Sequence, residues 1–243
     1  MTARDLDGVQ VTALRVGDGA AELLSALGAR GAVASSVQVA TVTDRSDAEV
    51  RAEIGDLARF AWVAVTSTNA ARRLALWASE WPEGLKVGAV GPTTAQAVAS
   101  VGLRVASIAP DGTASSLAEQ LSVGPVLFLA ASSARDDLPR SLAERGIDVV
   151  TVVAYDVVAR ELDDDDARVL ARSDALVAMS PIALDALGAL AGATRDALIR
   201  VPLVAIGPTT AQHARDLGWH VSGVAQDRAV GSVCDAVVVA VSG

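Results

Sequence analysis

The stretch Gly91-Pro92-Thr93-Thr94-Ala95-Gln96 occurs a second time at residues 207–212. Each copy follows a short apolar run, at 87–90 or 203–206, and precedes a helical stretch that ends in glycine. An apolar strand, a sharp turn and a helix in this order are typical of α/β proteins. The copies begin 116 residues apart, which indicates an internal repeat.

Two further pairs of segments support this repeat. Residues 62–67 resemble 176–180 at an offset of 113, and residues 22–31 resemble 137–146 at an offset of 115. The three pairs follow one another in the same order along the chain. We therefore predict two homologous halves of roughly 100–115 residues, each the size of an ordinary domain.

Apolar runs alternate with helical patterns in both halves, which predicts parallel sheets with helices on both faces. Strands are expected at 9–14, 62–66, 103–108, 126–130, 176–179 and 220–224, and helices at 19–29, 68–79, 136–145 and 181–190. The apolar segment 236–241 fits a last strand or the end of a helix. Two long β-rich segments, 36–43 and 149–158, break the alternation and could pair as a bridge between domains.

Composition excludes several classes of protein. The net charge is −9 over 243 residues, which does not suit a general nucleic-acid binder. One cysteine, Cys234, allows no internal disulfide, and two histidines are too few for most catalytic zinc sites. The sequence shows no signal peptide and no run long enough to span a membrane, so we expect a cytoplasmic protein.

Four turns of the predicted fold could hold an anion. Thr93 and Thr209 are candidate N-caps, each with a glutamine three residues later, and Ser67 and Ser180 could cap in the same way. Helix N-termini carry unpaired N–H groups and a positive dipole end, and they would meet at one edge of each sheet. Plain helix capping is the alternative for any single turn, but four in duplicated context favour a ligand cleft between the domains.

Other candidate groups have simpler interpretations. Asp163 to Asp166 could suggest a metal site, although an acidic first turn of a helix running to Ala171 explains them better. Cys234 fits a small buried apolar residue. Tyr155, the only tyrosine, could donate a proton in a cleft or merely pack.

The pattern resembles the uroporphyrinogen-III synthase family over roughly residues 9–224. The residues that carry the resemblance are 66–69, 90–95, 153–155, 179–181 and 206–211. It implies two flavodoxin-like α/β domains with parallel sheets, joined by a two-stranded antiparallel connector. One domain would combine 1–36 with 158–243, the other would span 45–148, and 37–44 and 149–157 would be the connector strands.

The resemblance also implies a reaction. Linear hydroxymethylbilane would lose its hydroxyl as water, ring D would be inverted through a spiro intermediate, and the macrocycle would close as uroporphyrinogen III in heme biosynthesis. No cofactor or metal is expected, and the protein would be a monomer that takes its substrate from the upstream bilane-forming enzyme.

Residue roles follow from the matching motif positions. Tyr155 would be the catalytic acid that assists departure of the hydroxyl. The substrate-binding positions would be Ser67, Thr68, Asn69, Gly91, Thr93, Thr94, Arg135, Ser180, Pro181, Gly207, Thr209 and Thr210.

Some positions depart from the family's pattern. Leu129-Ala130-Ala131 lacks the Arg-Gly often found there, which puts one carboxylate contact in doubt. This departure leaves room for a weak or inactive member that binds a tetrapyrrole or another polycarboxylate as a regulator. A third interpretation is an unrelated two-lobed binder of the periplasmic or repressor type.

Overall fold

A computed structural model describes residues 5–17, 20–188, 193–227 and 229–242. The chain forms two compact units. The discontinuous unit comprises Met1–Val42 and Val157–Gly243, and the continuous unit comprises Thr43–Asp156. The chain passes from one unit to the other after Val42 and after Asp156, inside the segments 37–44 and 149–157 that are expected to be connector strands. The domain boundaries given above stay a prediction.

Strands and helices alternate along the described chain. The strands are β1 (Gln10–Val16), β2 (Val33–Asp44), β3 (Trp62–Val65), β4 (Lys86–Ala89), β5 (Val105–Ile108), β6 (Val126–Ala131), β7 (Val149–Ala159), β8 (Ala175–Ala178), β9 (Leu203–Ala205) and β10 (Val221–Val224). The helices are α1 (Ala21–Ala29), α2 (Asp47–Ile54), α3 (Thr68–Arg73), α4 (Pro92–Ser100), α5 (Ala114–Gln120), α6 (Asp137–Glu144), α7 (Asp164–Ala171), α8 (Pro181–Gly188), α9 (Ala193–Leu198), α10 (Pro208–Asp216) and α11 (Val230–Ser242). Short 3₁₀ segments lie at Leu57–Arg59 and Leu74–Glu80.

The discontinuous unit has a parallel sheet with the order β2-β1-β8-β9-β10. Numbered along its own chain segments, this is the flavodoxin order 2-1-3-4-5. Such a sheet changes winding direction beside its central strand, here between β1 and β8. Ligands of open α/β sheets bind at that point, outside the carboxyl ends of the strands.

The continuous unit has the parallel order β7-β6-β3-β4-β5. The strands are arranged as in the discontinuous unit, but the first strand of this unit, β3, lies at the third place in the sheet, which β8 occupies in the discontinuous unit. The turn after β4 therefore corresponds to the turn after β9, and the turn after β3 to the turn after β8. These are the places where the similar motifs occur, as the predicted α/β fold requires.

The sheet of the discontinuous unit is buried on both faces. Alternate residues of β8 face opposite sides, so Val177 belongs to one apolar cluster while Leu176 and Ala178 belong to another. The large, fully buried side chains are mostly leucines, as expected from a composition with few aromatic residues. Burial on both faces explains why the strands are continuous apolar runs.

One local prediction was wrong, one open alternative was decided, and one prediction extends beyond the described residues. The helix expected at 68–79 is α-helical only to Arg73 and continues as a 3₁₀ segment. The segment 236–241, left open between strand and helix, lies in α11. The helix predicted to run to Leu190 is described as far as Gly188, and residues 189–190, like Gly19 of the first predicted helix, lie outside the described residues.

Candidate functional site

The carboxyl edge of the continuous unit gathers most of the predicted site residues. Thr68 and Asn69 begin α3 directly after Ser67, and Gly91 connects β4 to α4. Arg135 follows β6, and Tyr155 lies in β7. Because all these strands are parallel, their ends lie along one edge of the sheet.

Ser67 is the N-cap of α3, as predicted. Its backbone is extended (φ −150°, ψ 158°), and its Oγ accepts the N–H of Ala70 at 3.0 Å. This bond satisfies one of the N–H groups that a helix leaves unpaired at its start. The cap therefore fixes the Ser67 side chain relative to the end of β3.

The same Oγ lies 2.7 Å from the phenolic oxygen of Tyr155. Tyr155 stands beside Ala131 in the register of β7 and β6, and β6 lies between β7 and β3. The phenol thus spans the neighbouring strand to reach Ser67. The sequence named both residues as candidates but did not predict that they are bonded to each other.

Tyr155 is buried, with about one twentieth of its surface exposed (5 %). Burial raises the pKa of its phenol above the ordinary value, and the negative charge of Asp44 acts in the same direction. The hydrogen bond with Ser67 opposes this and lowers the pKa. The net effect keeps the phenol protonated at neutral pH, so Tyr155 can act as a proton donor there.

An ion pair that the sequence analysis missed follows Tyr155 directly. Arg45 binds Asp156 with two N–H groups, Nε and Nη2, each 3.1 Å from a carboxylate oxygen. The Arg45 guanidinium, together with a hydrogen bond from Ser132, lowers the pKa of Asp156. The pair spans 111 residues of sequence, and no local pattern announces such a contact.

The Gly-Pro-Thr-Thr turns differ from the prediction in their caps. Gly91 and Gly207 are the N-caps, and Pro92 and Pro208 are the first helical residues. The predicted caps Thr93 and Thr209, with their glutamine partners, are therefore wrong. Proline fixes φ near the helical value and lacks an N–H, so it suits the first helical position and starts the helix one residue before the threonine.

These turns leave backbone N–H groups outside the helical hydrogen bonds. The first helical hydrogen bonds run from Ala95 N–H to the Gly91 carbonyl and from Ala211 N–H to the Gly207 carbonyl. The N–H groups of both threonines in each turn precede that ladder. Thr94 and Thr210 are buried as whole residues, at 5 % and 4 % exposure, so we expect a ligand to meet Thr93, which is exposed, and Thr209, which is half-buried.

The discontinuous unit repeats part of this arrangement. Ser180 lies after β8, and its Oγ accepts the N–H of Ala183 at 3.4 Å, with Pro181 as the first residue of α8. Capping by Ser180 is thus as predicted, although the bond is longer than that of Ser67. The neighbouring strand β9 leads into Gly207, Thr209 and Thr210.

Arg135 is the cationic residue among the predicted substrate-binding residues, and its side chain is exposed. Its Nε lies 3.4 Å from a carboxylate oxygen of Asp137, and 61 % of the side chain is exposed. Arg72 and Arg73, which end α3, differ from each other. Arg72 bonds to Asn69 at the surface, whereas Arg73 is buried and held by Asp47.

The acidic run Asp163–Asp166 begins α7, as predicted. Asp163 accepts the N–H of Asp166, and the Asp166 carboxylate accepts the N–H of Asp163 in return.

Within the described residues, histidine, cysteine and acidic side chains form no cluster of three that could hold a metal ion. The described helices also include none that is long and apolar enough to cross a membrane. Cys234 is buried, as expected of a small apolar residue.

Comparison with known proteins gives matches along most of the chain. The family profile described as "Uroporphyrinogen-III synthase HemD" matches residues 18–234. A protein of Methanothermobacter thermautotrophicus named "Putative uroporphyrinogen-III synthase" is 31% identical over 223 residues, which is 82% of this chain and 85% of that protein.

Solved structures resemble the fold. A mutant uroporphyrinogen III synthase from Thermus thermophilus aligns with a TM-score of 0.68 at 22% identity, covering 97% of this chain and 99% of that chain. The Helicobacter pylori uroporphyrinogen-III synthetase aligns with a TM-score of 0.64 at 17% identity, covering 93% and 97%. At these identities the likeness establishes the fold, whereas the profile match establishes the family. The chain therefore belongs to the uroporphyrinogen-III synthase family, whose enzymes act in porphyrin and heme biosynthesis.

Proposed function

We propose that this chain converts hydroxymethylbilane into uroporphyrinogen III. In this reaction the substrate loses its hydroxyl as water, and the resulting azafulvene is attacked by a carbon of ring D to give a spiro intermediate. Ring D is thereby inverted before the macrocycle closes. The overall reaction removes one water molecule, which makes the protein a cyclising lyase.

Membership of the family over most of the chain is the main support for this proposal. The bond between Tyr155 and Ser67 is the observation from the described residues that carries it. It places a buried, protonated phenol at the edge of the sheet where α/β proteins bind ligands.

Tyr155 would act on the first step. Cleavage of the carbon–oxygen bond leaves hydroxide, a poor leaving group, unless a proton reaches the oxygen as the bond breaks. A phenol is protonated at neutral pH, and burial raises the pKa of Tyr155 further, so its proton is present for transfer. The phenolate would recover a proton when the closing macrocycle releases one.

Backbone N–H groups would hold the carboxylate arms of the substrate. The helix starts at Thr93 and at Thr209 would offer such donors together with the positive end of the helix dipole. This explains how a chain with a net charge of −9 could bind a polycarboxylate. Holding a flexible substrate so that the correct carbon attacks is catalysis by positioning.

The proposal extends to the setting of the reaction. We propose a cytoplasmic monomer that works without a cofactor. Its substrate would come from the enzyme that forms the linear bilane.

The experiment is an assay in which hydroxymethylbilane is generated freshly, the products are oxidised, and the type I and type III uroporphyrin isomers are separated by chromatography. We expect type III to dominate, whereas a control without this protein should give type I. Type I at the control level, from protein whose circular dichroism shows it folded, would contradict the proposal.

The regulator remains the second candidate function, because Ala130 and Ala131 are buried where the family often has Arg-Gly. Titration of the folded protein with uroporphyrinogen III, followed by quenching of its four tryptophans, tests this candidate. Saturable quenching without type III formation would favour the regulator.

A further inference from the structure

The hydroxyl of Ser67 has a limited set of hydrogen-bonding groups. A serine hydroxyl offers one hydrogen and two lone pairs. One lone pair of Ser67 accepts the Ala70 N–H at 3.0 Å, and Tyr155 lies on another side at 2.7 Å. The helix cap thus fixes where the Ser67 oxygen sits and leaves it one hydrogen and one lone pair for other partners.

Two hydroxyls that bond to each other use one of their two hydrogens. When Ser67 donates, the phenol keeps its own hydrogen for a third group. When Tyr155 donates, the remaining hydrogen belongs to Ser67, and the phenolic proton can leave only through the serine. The pair therefore presents one hydroxyl hydrogen to a ligand in either arrangement.

We propose that Ser67 is the positioning residue for Tyr155, not a separate contact to the substrate. The capped serine donates to the phenolic oxygen and holds it at the end of β3, with the phenolic hydrogen directed towards the reacting group. The catalytic part of this proposal rests on the proposed function. The part that concerns the hydrogen bond between Ser67 and Tyr155 does not.

The effect of Ser67 on the phenol favours this arrangement. The contact with Ser67 lowers the pKa of the buried phenol, as a hydrogen bond donated to the phenolic oxygen does, whereas burial and the charge of Asp44 raise it. A hydrogen bond donated by Ser67 stabilises the phenolate as it forms during proton transfer. The serine would thereby ease the release of the proton that the phenol delivers.

The chain offers a clean spectroscopic test, because Tyr155 is its only tyrosine. Labelling of tyrosine at Cζ with ¹³C gives one NMR signal, whose titration reports the pKa of Tyr155 in the intact protein. The variant is Ser67→Gly, because glycine is nearly as good an N-cap as serine yet has no hydroxyl. Ser67→Thr restores a hydroxyl, and Thr113→Gly removes the cap of α5 as a matched control.

We expect the Cζ signal of Ser67→Gly to shift at neutral pH and its titration to move to higher pH. Ser67→Thr and Thr113→Gly should reproduce the wild-type signal. An unchanged titration in Ser67→Gly would overturn the proposal even if the protein proves to have no synthase activity.

A double-mutant cycle tests the catalytic part. Tyr155→Phe should slow type III formation by about 10²-fold, the lower end of what a general acid supplies, and Ser67→Gly by about tenfold. Ser67→Gly in the Tyr155→Phe background should cost nothing further, because a positioning residue acts only through its partner. Equal losses in both backgrounds would instead identify Ser67 as an independent substrate contact and overturn the proposal.

Discussion

The oxygens of Ser67 and Tyr155 lie 2.7 Å apart although 88 residues separate the two in sequence. One is fixed by the start of a helix and the other by the register of two parallel strands. A change in either element would move one oxygen away from the other. The contact therefore depends on the fold of the continuous unit. Titration of the Tyr155 phenol reports whether the contact is formed.

Alkaline pH should destabilise the protein through Tyr155. Its pKa in the folded state is raised above the unfolded value of about 10, so its contribution to stability is present below pH 10 and is lost as pH rises through the folded pKa. We expect the urea midpoint of the wild type to fall more steeply above pH 10 than that of Tyr155→Phe.

Few other groups complicate this measurement. Lys86 is the only lysine, and Cys234 is the only thiol. Burial raises the pKa of the Cys234 thiol, so Cys234 adds its own loss of stability at alkaline pH. The comparison is therefore made in a Cys234→Ala background, where parallel curves for tyrosine and phenylalanine would refute the prediction.

Arg73 should contribute strongly to the stability of the continuous unit. It is buried, its Nη1 lies 2.8 Å from Asp47, and its Nη2 donates to the carbonyl of Arg45 at 2.8 Å. Hydrogen bonds to charged groups are worth about 1.5–3 kcal/mol, so Arg73→Ala should lower the free energy of unfolding by about 2 kcal/mol. Its exposed neighbour provides the control, since Arg72→Ala should change stability by less than about 0.5 kcal/mol. Similar losses for both variants in urea denaturation would show that burial of Arg73 is not the cause.

Gly223 should resist substitution because of a close backbone approach. A Cβ atom at this position would lie 2.7 Å from the carbonyl oxygen of Ala236 in α11. Backbone cannot move aside as a side chain can, so Gly223→Ala should destabilise the protein by about 2 kcal/mol. Gly231 lies in the same helix as Ala236 with nothing within 4 Å of its Cβ position, and Gly231→Ala should be neutral or stabilising. Thermal melts of the two variants compare them directly, and a lower midpoint for Gly231→Ala would contradict this account.

Arg135 should affect substrate capture more than turnover. The side chain is largely exposed, so its attraction for a carboxylate is weakened by solvent and worth at most about 1 kcal/mol. We expect Arg135→Ala to raise KM about two- to fivefold with little change in kcat, and the difference should shrink as salt is added. Arg140→Ala, a similarly exposed arginine on α6, is the control. A fall in kcat at saturating substrate would mean that Arg135 takes part in the chemistry.

Much of the architecture could be predicted from the sequence because its signals are local. Alternation of apolar runs and helical patterns indicated parallel sheets, and Ser67 and Ser180 were correctly expected to cap helices. The caps of the Gly-Pro-Thr-Thr turns were wrong because a hydroxyl and a proline competed for adjacent positions, and the fixed φ of Pro92 and Pro208 decided the helix start.

The contacts within the site could not be predicted in the same way. Ser67 with Tyr155 and Arg45 with Asp156 come from distant parts of the chain, and which residues meet depends on strand register. The 3₁₀ continuation of α3 after Arg73 likewise has no clear signal in the sequence. The buried Arg73, bonded to Asp47, is the last α-helical residue before the 3₁₀ segment.

The division of the chain into a continuous and a discontinuous unit has a consequence during synthesis on the ribosome. The continuous unit is complete once Asp156 has emerged, so it can fold while the chain is still growing. Strand β1 must wait for β8, its partner opposite β2, which is made more than 150 residues after β1 begins. Until then β1 presents an unpaired edge of the kind that invites aggregation. A pause in translation between Asp156 and β8 would therefore lengthen the time for which this edge of β1 stays unpaired.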